Sequence, residues 1–387
     1  MDFSFTQEQR MIRDTAEAFY SQVSSSDAVR DVMQTESGFD ESLWQSTCQD
    51  MYFQAINIPE EFGGLGLGYV ELCSVMEQAG KHLACSPLFS TTCLATSAIL
   101  FGATQQQKAL YFPKIIDGVT ATFAYAGQHV GTSASWQEDC IELTYQQVGE
   151  QFVLEGDCHF VINGHTAQLI IVAAKEKTTS VLSLFILDSN AIDSGLSRDY
   201  TPSMDQTQKL ARLNFNNLAV SKQALMVSGD DALKVLSTTL ALAQITMSAE
   251  QLGGSQSVLE QSVSYVNERV QFNRPVGSFQ SIKHKAADMM LKTEASRSAV
   301  YYAACVADNM AAGIGELEQL QEAANIAKGY SSDAYFFNAG CAIQMHGGVG
   351  FTWEYDVHLY FKRAQSSANM FGNTSYHYEQ IAARLLD

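Results

Sequence analysis

A chain of 387 residues has room for two or three domains with buried cores, and its 46% apolar and 17% charged residues are a globular rather than a disordered composition. Against 42 Asp plus Glu there are only 23 Lys plus Arg, a formal charge of −19. Such a surface repels phosphate backbones and anionic lipid, which excludes nucleic acid and membrane surfaces as expected partners but leaves room for a phosphate-bearing cofactor in a local pocket.

The N-terminus, MDFSFTQEQR, has no basic segment followed by an apolar stretch, so no secretory signal is expected. From Thr6 to about Gly118 the pattern is helical, with Ile12, Ala16 and Phe19 on one face. Pro59 and the run Phe62-Gly63-Gly64-Leu65-Gly66 mark a loop between helices. From Ala121 to about Val220 the texture is that of strands. Residues 151–154 and 159–162 flank Glu155-Gly156-Asp157, which predicts a hairpin with a glycine-containing turn. Residues 169–172 and 181–187 are short apolar runs suited to buried strands, and Leu213, Phe215 and Leu218 punctuate another. From Asp230 onward the chain is helical again, with Asp230-Asp231 suited to a helix N-terminus.

The most apolar stretch, Val235 to Leu259, is broken by Ser, Thr, Gln and Glu and reads as a buried core helix. It falls short of the ~18 uninterrupted apolar residues a membrane span needs, so no membrane insertion is expected. Gly253-Gly254 costs that helix about 1 kcal/mol per glycine relative to alanine, and close backbone packing would account for the pair. The expected fold class is α+β: an N-terminal helical domain (1–120), a middle antiparallel β domain (121–225) and a C-terminal four-helix bundle (226–387). The eight cysteines, at 48, 73, 85, 93, 140, 158, 305 and 341, include no C-x-x-C pair and no Cys/His cluster suited to zinc. They read as reduced thiols of a cytoplasmic protein, and no metal site is expected.

Two segments carry chemistry. In Glu268-Arg269-Val-Gln-Phe272-Asn-Arg-Pro-Val-Gly277-Ser-Phe-Gln280, a guanidinium suits a pyrophosphate because its planar fork pairs two oxygens, and an amide can bond phosphate or adenine. By itself this segment is equally a surface ion pair and a packed ring. In Gln344-Met-His346-Gly347-Gly348-Val-Gly350-Phe351, glycines let the backbone approach a ligand and turn N–H groups toward phosphate. It is not the dinucleotide G-x-G-x-x-G, since no strand precedes it in a βαβ unit.

Together, and in this order, the two segments resemble the acyl-CoA dehydrogenase family. Phe5-Thr-Gln-Glu-Gln9 is similar to that family's opening helix, and Pro59-Glu-Glu-Phe-Gly63-Gly64-Leu-Gly66 to its P-E-x-x-G-G-x-G loop. Phe272 to Met289 is similar to its R-x-x-F-G-x-x-x-x-x-F-Q helix junction, with Asn273 in place of the usual Gly. The resemblance implies the acyl-CoA dehydrogenase fold, FAD held across a subunit interface, an acyl-CoA substrate, an electron-transfer flavoprotein or similar acceptor, and a homo- or hetero-oligomer, dimer or tetramer. Residue by residue it assigns Arg269, Phe272 and Gln280 to the pyrophosphate and adenosine part of a neighbouring subunit's FAD, with Gln344, Gly347 and Gly348 on that same side. Thr374 matches a threonine that contacts FAD near the C-terminal helix.

The resemblance also exposes departures. Family members carry the carboxylate base in a C-terminal E-G-T-S motif or on the long helix of the last domain; the matching positions here are Gly372 and Ala243, neither of which can take a proton. Glu250 is the nearest carboxylate on that helix, about 10.5 Å beyond Ala243 at 1.5 Å per residue, and reads as a structural group. The family's T-E-x-x-x-G-S-D segment becomes Tyr125-Ala-Gly127-Gln-His-Val-Gly131-Thr-Ser-Ala, and its W-I-T-N-G becomes Phe160-Val-Ile162-Asn163-Gly164, without the threonine hydroxyl. Residues that would hold another subunit's FAD are kept and those that would hold the chain's own flavin ring are largely lost. The resemblance is therefore to the degenerate subunit of bacterial heterotetrameric, steroid side-chain type enzymes. A complete homo-oligomeric dehydrogenase with another base, and a non-enzymatic acyl-CoA-binding or scaffold protein, remain as alternatives.

Overall fold

The computed structural model describes residues 5–130 and 136–386. Helices α1 (Gln7–Val23), α2 (Ser26–Met33), α3 (Glu41–Gln49) and α4 (Tyr69–Lys81) are followed by a π-helical stretch, Phe89–Thr96, that runs into α5 (Ser97–Gly102), and then by α6 (Gln105–Ile116). Strands β1 (Ala121–Ala124), β2 (Thr144–Val148), β3 (Gln151–Ile162), β4 (Leu169–Glu176), β5 (Leu182–Asp188), β6 (Leu196–Thr201), β7 (Leu210–Ser221) and β8 (Leu225–Ser228) come next. Helix α7 (Asp230–Glu268), a small hairpin of β9 (Val270–Gln271) and β10 (Arg274–Pro275), and helices α8 (Gln280–Ala311), α9 (Leu317–His346), α10 (Val357–Asn369) and α11 (Thr374–Leu386) complete the chain. The order helices, strands, helices is the one expected. Thr6 and Gln9 form a reciprocal capping box that starts α1, which is the physical content of the opening T-x-x-Q.

The chain divides into two compact units: residues 1–31, 69–84 and 244–387 form one, and 32–68 with 85–243 the other. In the second unit the eight strands form one sheet in the order β6-β7-β3-β2-β4-β5-β8, with β1 added on β4. Most pairings are antiparallel, but β1 and β2 both run parallel to β4, so the expected antiparallel sheet is in fact mixed. The first six residues of β4 and of β5 are all buried, as continuous apolar runs require. The expected hairpin at Glu155-Gly156-Asp157 is a correction. Strand β3 runs uninterrupted for 12 residues and pairs with β2 on one side and β7 on the other. Gly156, at φ +130°, sits at a bulge where the register against β7 shifts. The hairpin turn comes earlier, where Gly149, at φ +59°, joins β2 to β3.

In the first unit α7 carries the core. It is one continuous helix of 39 residues, and Asp230 and Asp231 stand in its first turn. By length and composition it could cross a membrane, yet 83% of its most apolar window is buried within the fold. The glycine pair does not break it. A Cβ on Gly253 would lie 2.7 Å from the Lys81 backbone nitrogen, one on Gly254 would lie 2.5 Å from the Tyr335 hydroxyl, and one on Gly80 of α4 would lie 2.8 Å from Glu250 Cα. Helices α4 and α7 therefore cross backbone to backbone through Gly80 and Gly253. Gly253→Ala is expected to destabilise the protein: alanine adds about 1 kcal/mol of helix propensity, but an added methyl against rigid backbone costs about 1–3 kcal/mol or more. Urea denaturation measures the net, and an unchanged or raised midpoint would contradict so close a crossing.

Candidate functional site

An apolar cluster of Leu259, Val266, Met289, Cys341 and Met345, with Tyr265, Val276, Ile282 and Ala286 packed on it, ties the end of α7 to the start of α8 and the end of α9. These are the segments that carry Arg269, Phe272, Gln280, Gln344, Gly347 and Gly348. Past the end of α7, the Val276 N–H donates to the Arg269 carbonyl at 2.7 Å and closes the β9–β10 hairpin. Phe272 and Asn273 occupy its turn at φ +52° and +59°. Two left-handed residues make the turn favoured in tight hairpins, and asparagine tolerates that region almost as glycine does, so Asn273 serves where the family has Gly.

The side chains at this corner face outward. Phe272 is 84% exposed, with only its edge against Phe279, and the Arg274 guanidinium lies 3.9 Å from the Phe279 ring centre. Arg269 and Gln280 are exposed, and among the described residues Arg269 has no side-chain partner. Gln344 is exposed and its Oε1 accepts from Lys285 Nζ at 2.9 Å. Gly347, at φ +66°, and Gly348 have open space where a Cβ would be. The His346 ring fixes the approach to this turn: it is buried, stacked on Tyr265 at 4.3 Å, edge-on to Tyr355, and its Nδ1 is 2.7 Å from the Ala342 carbonyl. Thr374 lies elsewhere. It opens α11, whose His377 packs on Gly329 of α9, and Gly329 is about 22 Å along that helix from Gln344 at 1.5 Å per residue.

Gly372 and Ala243, the two positions at which the resemblance expects a base, stand in a left-handed turn and on a buried helix face. Gly372 adopts φ +111°, and a Cβ there would stand 2.5 Å from the Tyr376 ring and 2.9 Å from His377 Nε2. Its carbonyl accepts from Lys328 Nζ at 3.3 Å and lies 3.2 Å from His377 Nε2. Ala243 is fully buried. Beside them, Gln244 donates to the Phe371 carbonyl at 3.0 Å. Glu250 is structural, as expected: it is buried against the Arg363 guanidinium of α10.

Sequence reading missed Lys328. It has no motif and shows only as a cation among small residues of α9. It is fully buried, among the described residues without a carboxylate partner, donating to Ser332, the Ala368 carbonyl and the Gly372 carbonyl. Burial pushes its ammonium down from about 10.5 to about 7. Burial, and then the Lys328 charge, push His377 down from 6.5 to about 3.

In the second unit, Ile162 is buried, and its carbonyl accepts from the Thr122 hydroxyl at 2.6 Å. In the same unit an aromatic series runs through the neighbouring strands: Phe123 stacks on Tyr125 at 5.5 Å, Tyr125 meets Trp136 at 6.4 Å, and Trp136 meets Phe160 at 6.4 Å. Gly131, Thr132, Ser133 and Ala134 lie outside the described residues.

The sequence matches the family models for the acyl-CoA dehydrogenase N-terminal domain over residues 6–119 and C-terminal domain over residues 231–386. It is 31% identical over 367 residues to the acyl-CoA dehydrogenase IpdE2 of Mycolicibacterium smegmatis, covering 95% of each chain. A variant of the steroid ACAD Tcur3481-Tcur3483 has the same fold with a TM-score of 0.85 and 27% identity over 98% of each chain. A chain of the ChsE4-ChsE5 complex from Mycobacterium tuberculosis superposes with a TM-score of 0.87 at 22% identity, over 100% of this chain and 99% of that one. The chain belongs to the acyl-CoA dehydrogenase family of FAD-dependent oxidoreductases.

The buried Lys328 gives a pH signature. Its folded value lies below its unfolded one, so the unfolded chain binds more protons between about 7 and 10.5, and stability rises with pH across that window. His377 adds a separate rise between about 3 and 6.5. In Lys328→Met the upper rise is expected to vanish, a difference from the native protein on the order of a few kcal/mol in urea denaturation at pH 7 against pH 10. Equal pH dependence in both proteins would show that the amine is charged and solvated in the fold.

Proposed function

We propose that this chain is the non-catalytic subunit of a heteromeric acyl-CoA dehydrogenase, contributing the phosphate-and-adenosine half of an FAD site whose flavin ring and base belong to a partner subunit. The observation that carries this reading is the contrast between the two halves. The corner formed by Arg269, Phe272, Gln280, Gln344, Gly347 and Gly348 fits an ADP moiety: a guanidinium without a protein partner, outward amides, a bare ring for stacking, and open glycine backbone. The residues that the resemblance assigns to the flavin ring and the base do not fit those roles: the Ile162 side chain offers no donor, and Gly372 and Ala243 hold no proton acceptor. Thr374 stands apart from that corner, at the start of α11, which packs on α9 at Gly329, about 22 Å along that helix from Gln344.

FAD, held at its ADP end by Arg269, Gln280, Gln344, Gly347 and Gly348, would supply the hydride acceptor for the β-carbon of an acyl thioester, and the α-proton acceptor would be a carboxylate of the partner subunit. In this division the present chain binds and orients, and contributes no proton transfer. Similarity to IpdE2 and to a steroid ACAD named by two different chains supports a hetero-oligomer acting on an acyl-CoA thioester of a steroid or lipid; the family resemblance adds an electron-transfer flavoprotein or similar acceptor. Eight free cysteines, seven of them buried, suit work in the cytoplasm.

Purified alone, the chain is expected to carry substoichiometric FAD and to show little acyl-CoA oxidation with an artificial electron acceptor. Full flavin occupancy with turnover typical of enzymes, ~1–10³ s⁻¹, would establish the homo-oligomeric alternative instead. Arg269→Ala is expected to weaken FAD retention about 10- to 100-fold in whichever assembly carries flavin, by equilibrium dialysis, since a charge-assisted bidentate contact is lost. Unchanged affinity would make Arg269 an ordinary surface residue.

A further inference from the structure

We infer that Lys285, which no family motif singles out, is a further anion-binding residue of this corner, and that it sets Gln344 to act as a hydrogen-bond donor to a phosphate-bearing ligand. The inference rests on the reading of the corner as an ADP site. Lys285 stands on the second turn of α8, and its Nζ lies 2.9 Å from Gln344 Oε1 on α9, 59 residues away. An ammonium has donors only. The Gln344 oxygen is therefore taken, and its NH₂ is the end left free to face a ligand. That end recognises an acceptor, such as a phosphate oxygen or an unprotonated ring nitrogen, and rejects a donor.

Charge points the same way. In a chain of formal charge −19, residues 269–297 hold six cations, Arg269, Arg274, Lys283, Lys285, Lys292 and Arg297, against two carboxylates, Asp288 and Glu294. Several of the six are committed elsewhere. Arg297 is paired with Glu77 and Glu294, Arg274 lies over Phe279, and Lys292 lies over Phe337. Among the described residues Lys285 has no carboxylate partner and its one side-chain bond is to a neutral amide, which leaves its charge unneutralised. The apolar cluster holds it in place, because Ala286 and Ile282 on its own helix and Met345 beside Gln344 are all members. Lys285, Gln344 and the open backbone of Gly347 and Gly348 thus present one cation, one fixed amide donor and free main chain at the same corner, with Arg269 supplying the second cation from the hairpin.

The test is titration of the purified chain with ADP and with FAD, read by calorimetry and by ³¹P NMR at low and moderate salt, for the native protein, Lys285→Met, Lys285→Arg, Gln344→Glu and Arg269→Ala. Lys285→Met is expected to weaken both ligands about 10- to 100-fold and to flatten the salt dependence, while Lys285→Arg keeps both. Gln344→Glu is expected to weaken binding at least as much, since its carboxylate pairs with Lys285 and faces the phosphate. Circular dichroism melts show that each variant is folded. If Lys285→Met binds ADP with native affinity and native salt dependence while Arg269→Ala does not, the inference is wrong and the ADP corner stands. If ADP and FAD bind with native affinity in every variant, Arg269→Ala included, both in the purified chain and in the assembly that carries flavin, the reading of the corner fails, and this inference with it.

Discussion

The first unit depends on one constraint, the backbone contact where α4 crosses α7. Gly80 and Gly253 meet there with no side chain between them, and Gly254 one residue on leaves room for the Tyr335 ring of α9. Because both helices give up side-chain volume at the crossing, α7 continues straight through it for 39 residues. It ends where the β9–β10 hairpin begins. Two successive left-handed residues, Phe272 and Asn273, reverse the chain, and α8 starts directly afterwards against the same apolar cluster. Arg269 thus stands just past the end of the helix whose path Gly253 and Gly254 set some sixteen residues earlier.

Where periodicity and glycine punctuation dominate, the sequence was legible. The apolar runs of β4 and β5, the helical ends of the chain and the reason for Gly253-Gly254 could all be read before any coordinates. The misread hairpin has a specific cause. Gly156 and Gly149 are equally good turn residues in isolation, and only the pairing of β3 with strands on both sides decides that one of them is a bulge. The parallel pairings of β1 and β2 with β4 were out of reach for the same reason, since strand direction is a property of neighbours and not of a run.

The corner itself was partly legible. Arg269, Phe272, Gln280 and the Gly347-Gly348 turn are local motifs, and local motifs survive in a linear reading. Lys285 and Lys328 do not belong to any. Each acquires its character from a partner far along the chain: Gln344 for the first, and the carbonyls of Ala368 and Gly372 for the second. A lysine flanked by small residues reads as a solvated helix cation until the neighbouring helices are known, and burial inverts that expectation for Lys328.

Gly372 carries a consequence for the history of such a chain. A single base change turns a glycine codon into a glutamate codon, so mutation supplies the missing carboxylate readily. The backbone at φ +111°, the Tyr376 ring across the Cβ direction and the Lys328 amine bonded to the carbonyl all oppose its accommodation. Placing a carboxylate here requires the turn, the ring and the buried amine to change together. The turn is therefore held against single substitutions, and a lineage that has settled into it can leave it only by several coupled changes.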